Sequence, residues 1–157
     1  YTDVSFSPDG SHVMLTLLKK PFSYLVTYGR FPSQSYVYDT NANLVAQVND
    51  VPLIEEMPQG FMAERKGIRS LSWRADRPHT LHYANVLDGG DPDNEVAYRD
   101  ALYSWEAPFE PGTGTLLLKT KDRFGGVIYS DGKRAVAYDY WWNTRNEHTY
   151  GFHPTVD

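Results

Sequence analysis

The 157-residue chain contains no cysteine. Disulfides, cysteine-ligated zinc and thiol catalysis are therefore excluded, although this absence leaves the compartment open. No apolar run approaches the length of a membrane-crossing helix, so no transmembrane span and no membrane partner are expected. Charge of one sign is not concentrated anywhere. The net charge is −5 and both signs are scattered, so no basic stripe exists to neutralise phosphates and a nucleic-acid partner is disfavoured. The catalytic signatures are missing too. There is no Gly-x-Ser-x-Gly elbow, no phosphate-binding loop and no His-Glu-x-x-His. Helical signal is scarce, because the best candidate, residues 55–66, is broken by Pro58 and Gly60. The chain does not begin with Met and shows no signal peptide, so a fragment or a processed start is expected.

What is present is β signal. Aromatic residues make up 15% of the chain, twelve of them Tyr, which favours strands. The organising stretch is Val4-Ser5-Phe6-Ser7-Pro8-Asp9-Gly10-Ser11-His12-Val13-Met14-Leu15. Pro8 presets the second position of a β-turn, Asp9 tolerates the third, and Gly10 supplies the positive φ that closes it. Apolar alternation on both flanks makes the unit a hairpin. Two weaker echoes follow, around Asp76 and around Ser130-Asp131-Gly132. A hairpin that recurs at long intervals predicts repeated β units of the propeller kind.

The expected fold is all-β: antiparallel four-stranded blades of a β-propeller, a fragment of about two and a half blades. The predicted division is a blade over 1–49, a connection over 50–66, a blade over 67–120 and an incomplete blade over 121–157. In the first unit, strands are predicted near 12–17, 24–28, 35–39 and 44–48. His12, Met14 and Thr16 fall on one side, and Val13, Leu15 and Leu17 on the other. The connection carries Pro52 and Pro58 and cannot be a central strand. In the second unit, 88–95 is an acidic loop. The third unit stops before a fourth strand, which predicts a larger parent propeller.

Few residues point to chemistry. His79 and His82 are three apart, a spacing that puts them on opposite faces of a strand, so no zinc site and no other metal or cofactor is expected. Asp91, Asp93 and Glu95 alternate in the acidic loop, a weak calcium pattern that reads better as a solvated loop. Arg65, Lys66 and Arg69 read as a surface charge cluster, although such a group can hold an acidic partner. Trp141, Trp142 and Arg145 are the candidate peptide-contacting residues. Adjacent strand tryptophans face opposite sides, so one can be core and the other exposed. Packing, with Arg stacked on Trp, is the plainer role for them.

Phe6-Ser7-Pro8-Asp9-Gly10 and its echoes resemble the Ser-Pro-Asp-Gly hairpins of prolyl-oligopeptidase-family serine peptidases and of TolB-type propellers. Tyr36-Val37-Tyr38-Asp39, the 51–60 connection, Ile68 to Asp76, Ala101-Leu102-Tyr103 and Trp141-Trp142-Asn143-Thr144-Arg145 together resemble the glutamyl endopeptidase branch. The resemblance covers essentially the whole chain. It implies an N-terminal, non-catalytic propeller that restricts peptide entry to a separate C-terminal α/β-hydrolase domain. None of that domain's triad or oxyanion-hole residues maps onto this chain. The implied partners are that domain and peptide substrates, in a secreted or periplasmic setting. Open blade edges and faces further predict self-association of the fragment. The alternative is a stand-alone TolB-like propeller that binds a peptide, glycan or protein. A sugar-active enzyme is disfavoured, because Asp88, Asp91 and Asp93 share one loop rather than facing each other across a cleft.

Overall fold

Side chains alternate along most strands, and this decides how the chain layers. The computed structural model describes residues 2–155. Eleven strands run in chain order: β1 (Asp3–Phe6), β2 (His12–Leu18), β3 (Ser33–Asp39), β4 (Leu44–Val51), β5 (Arg69–Trp73), β6 (Leu81–Val86), β7 (Asp100–Trp105), β8 (Thr115–Thr120), β9 (Arg123–Tyr129), β10 (Ala135–Trp141) and β11 (Asn146–Phe152). They form three antiparallel meanders. Two have four strands, β1-β2-β3-β4 and β5-β6-β7-β8, and one has three, β9-β10-β11. The only helix among the described residues is one 3-10 turn, Tyr28–Arg30. The fold is thus all-β and consistent with propeller-like blades. The described residues form a stack of sheets and not a closed ring.

The turns form as their residues dictate. In the first hairpin the Gly10 amide donates to the Ser7 carbonyl (2.9 Å) and Gly10 adopts φ +69°. The Asp9 carboxylate accepts from the Ser7 hydroxyl (2.7 Å) and the Ser11 amide (3.0 Å). In the third unit Asp131 accepts from the amides of Lys133 and Arg134, both at 3.1 Å. The middle echo behaves differently. Among the described residues no backbone amide donates to Asp76; it grips Arg74 side by side, at 3.0 Å to Nε and 2.7 Å to Nη2. That grip aims the buried Arg74 at the Ser104 hydroxyl and the Pro154 carbonyl, both 3.0 Å away.

The predicted strand at residues 24–28 does not exist. β2 passes directly to β3, with Leu18 opposite Ser33, and 19–32 is the loop between them. Tyr24 and Leu25 are fully exposed. Strand propensity alone provides no ladder partner, and here β2 and β3 already pair with each other. The loop packs on itself instead, with the Phe22 and Phe31 rings 5.5 Å apart.

The core is divided between two sheet-to-sheet seams. Met14, Val37 and Val48 of the first sheet meet Trp73, Leu81, Tyr83 and Trp105 of the second, together with Phe109. The His12-Met14-Thr16 side of β2 therefore faces inward. Ala84 and Leu102, from the other face of the second sheet, meet Phe124 and Ala137 of the third. The middle sheet is covered on both faces, and β6 and β7 are buried along most of their length. The outer sheets are covered on one face only. β10 alternates strictly, with Ala135, Ala137 and Asp139 buried and Val136, Tyr138 and Tyr140 exposed. Glycine is required beneath Tyr138: a Cβ on Gly125 would come within 2.5 Å of its ring.

Candidate functional site

Three segments converge beside the second seam: the 52–68 connection, the 88–99 loop and the β10–β11 turn. A buried charge network fixes the first two, and its Arg99 stacks on Trp141 where the third begins. Arg123 opens β9 and is almost wholly enclosed. Its Nε donates to the Met62 carbonyl at 2.7 Å, which anchors the connection. Its Nη1 donates to Asp88 at 2.9 Å and reaches Asp100 at 3.4 Å. Nη2 lies 2.8 Å from Asp88 Oδ2, an ion pair without the alignment of a hydrogen bond. Asp88 also accepts from Arg99 (2.9 Å) and from the Gly90 amide (2.9 Å). Asp100 pairs with Arg69 and accepts the Phe124 amide at 2.7 Å. Burial pushes the Asp88 carboxyl up, but Arg123, Arg99 and the Gly90 amide outweigh it and hold the group below its ordinary value.

This network revises two readings of the sequence. The acidic loop is not simply solvated. Asp88 is buried among arginines, and Asp91 caps the Asp93 amide at 3.0 Å. The basic cluster is not a surface group as a whole. Arg69 is buried on Asp100, and Arg65 turns its guanidinium onto the Lys66 and Ile68 carbonyls.

Two clefts flank the connection. One, of about 690 Å³, lies between the 52–58 run, residues 64–66 and Gly89, Asp91 and Asn94. The other, of about 400 Å³, is lined by residues 59–62, Pro92, Arg99, Trp141 and Asn143 among others. Trp141 closes its wall, and the Arg99 guanidinium stacks over the Trp141 ring at 3.9 Å. Trp142 begins the turn after β10 and is exposed. Arg145 stacks on Trp142 at 3.7 Å, and Phe61 of the connection approaches it at 5.6 Å. Thus Trp142 and Arg145 are brought together, while Trp141 is taken by a different arginine. Sequence reasoning missed Phe61 and Arg99. The signal for Phe61 was an aromatic residue in a Pro- and Gly-rich connection; Arg99 had none.

Among the described residues, two groups of side chains have metal-ligand chemistry: Asp9, His12 and His79, and Asp122, Asp139 and His148. Asp139 already accepts from the Asp122 amide (2.9 Å), the His148 amide (3.1 Å) and the Tyr150 hydroxyl (2.6 Å), with His148 Nδ1 at 2.8 Å. Its role is to hold the third sheet together. Burial, followed by the bond to Asp139, pushes the Tyr150 hydroxyl up to about 12. Ser11 sits between Asp9 and His12, 2.8 Å from the carboxylate and 2.7 Å from Nδ1. A hydrolytic triad needs the imidazole in the middle, and here the hydroxyl is.

The chain is 38% identical over 157 residues to a protein of Arabidopsis thaliana named "Probable glutamyl endopeptidase, chloroplastic", covering 98% of this chain. It is 34% identical over 155 residues to a protein of the same name from Oryza sativa subsp. japonica. The chain is therefore similar, along its whole length, to peptidase-related proteins. It spans only 16% of the length of either curated relative. No family model matches the chain, and no solved structure matches it.

Proposed function

We propose that this chain is the non-catalytic β-propeller part of a serine peptidase of the prolyl-oligopeptidase family, glutamyl endopeptidase branch. Its sheets act as blades that gate peptide access to a separate α/β-hydrolase domain. The observation that carries this reading is the coverage: the relatives match nearly all of this chain but only 16% of themselves. That leaves ample length in the relatives for a catalytic domain outside the matched region. The all-β stack supports it, as does the Ser11 arrangement, which lacks the order of a triad. In this proposal 1–49 and 67–120 are blades, with β4 extending the first through Val51, 50–66 leads to the second and 121–157 begins a third.

The two uncovered sheet faces fit the same reading. Val4, Phe6 and Leu44 are exposed on the first sheet, and Ile128, Val136, Tyr138 and Tyr140 on the third. In the parent these faces receive neighbouring blades. The isolated chain is expected to bury them against other copies. Light scattering over a concentration series should show association, weakened by Val136→Glu with Tyr138→Glu; a strict monomer at all concentrations counts against it.

The Trp142-Arg145 platform beside Phe61 is the proposed peptide contact, with Trp141 forming the wall of the adjoining cleft. Replacing Trp142 and Arg145 together with alanine in the parent protein is expected to lower kcat/KM several-fold for long peptides. A two-residue reporter substrate should be cleaved as before. Equal loss on both substrates would sink the contact role.

A further inference from the structure

The turns of the first and second sheets meet at one point that the peptidase reading does not use. The Asp9 amide donates to the Pro78 carbonyl at 3.2 Å, so the two turns are joined through their backbones. His79 follows Pro78 and places Nδ1 3.0 Å from Asp9 Oδ2. His12 opens β2 with its ring centroid 5.1 Å from that of His79. Trp73 and Phe109 each flank the His12 ring at 6.4 Å and hold it half-buried. The Ser11 hydroxyl touches both Asp9 oxygens at 2.8 Å and His12 Nδ1 at 2.7 Å. One ligand atom each from Asp9, His12 and His79 lies within 4.8 Å of the other two.

We propose that Asp9, His12 and His79 bind a divalent transition cation, zinc by preference, which staples the first sheet to the second. Two imidazoles and a carboxylate form a three-ligand zinc set, with solvent completing the tetrahedron in the fourth position. Hard cations such as calcium and magnesium prefer an all-oxygen shell and fit this set poorly. Ligand atoms around a tetrahedral zinc stand about 3.4 Å apart, given bonds of about 2.0–2.1 Å. Asp9 Oδ2 and His79 Nδ1, 3.0 Å apart, already stand within that spacing, so the closing movement needed is between this pair and His12. His79 lies at the surface, where side-chain rotation supplies that movement, while Asp9 Oδ1 stays on the Ser7 hydroxyl and the Ser11 amide and leaves Oδ2 toward the histidine. The fixed parts are His12, wedged by Trp73 and Phe109, and the Asp9–Pro78 backbone bond. They bring together two residues, His12 and His79, from different hairpins. The His79–His82 spacing considered from sequence is not the relevant one.

The test is isothermal titration of the metal-free chain with zinc sulfate in a non-chelating buffer, beside thermal unfolding with and without zinc. One zinc per chain is expected, with Tm rising with zinc concentration, as for any ligand of the folded state alone. His12→Gln and His79→Gln should each weaken binding by about tenfold or more, since each removes one of three ligands. His148→Gln, at the other candidate cluster, should leave it unchanged. If a histidine variant fails to fold, NMR of the unmodified chain decides: the His12 and His79 ring signals must move on zinc addition. Four results overturn the proposal. These are no binding below millimolar zinc, binding indifferent to both histidine substitutions, binding lost in His148→Gln instead, or ring signals that stay still.

Discussion

Arg123→Ala is expected to destabilise the chain by about 3–5 kcal/mol, the usual cost of removing one partner from a buried ion pair. Arg123 bridges two enclosed carboxylates, Asp88 and Asp100, and fixes the Met62 carbonyl. Removing it strands negative charge in a site that water cannot easily reach. Asp88 keeps Arg99 and Asp100 keeps Arg69, which places the effect toward the lower end of the range. Arg123→Lys should recover little, because an ammonium is a point charge and cannot address three acceptors in a plane. The effect reaches the candidate site, since the connection that carries Phe61 is tied down at Met62. Urea unfolding should show a lower midpoint with an unchanged slope. A loss below about 1 kcal/mol would mean the network is not the anchor described.

Acidification from pH 6.5 to pH 4 is expected to remove about 3 kcal/mol of stability through His82 alone. Burial first and the Arg74 guanidinium second, with Asp76 opposing them, bring the His82 pKa down to about 4. The folded value lies below the unfolded one, so the unfolded chain binds the extra proton between these limits. Stability from this site is full above pH 6.5, falls as the pH drops, and levels off below about 4. His82→Gln should flatten that part of the pH profile in urea titrations. A variant whose slope between pH 6.5 and 4 matches the unmodified chain would show that His82 is not buried neutral in solution.

Both effects arise at places where the sequence was hard to read, and the reason is physical. Hairpin turns are local: Pro8, Asp9 and Gly10 determine their own conformation, so the first turn and its Asp131 echo were legible residue by residue. Alternation is local too, and it placed His12, Met14 and Thr16 on one side of the second strand, the side that faces the core. The charge network is not local. Asp88, Asp100 and Arg123 lie in different loops and strands, and nothing in their neighbours marks them as partners. Asp88 therefore read as part of a solvated loop and Arg69 as a surface charge. The false strand at 24–28 fails for the related reason that pairing depends on which edge is free. At the candidate site, the Trp142-Arg145 stack was readable as a nearby pair within one turn. Phe61 comes from some eighty positions earlier and became visible only when Arg123 pinned its segment.

The most direct test of the account compares two proteins in one assay, the isolated 157-residue chain and its full-length parent, on a fluorogenic peptide that contains glutamate. The parent should cleave it and be blocked by a serine-directed inhibitor, while the isolated chain, correctly folded, should show no turnover. Hydrolysis by the chain alone, abolished by Ser11→Ala or His12→Ala, would place the chemistry in these sheets and contradict the gating role.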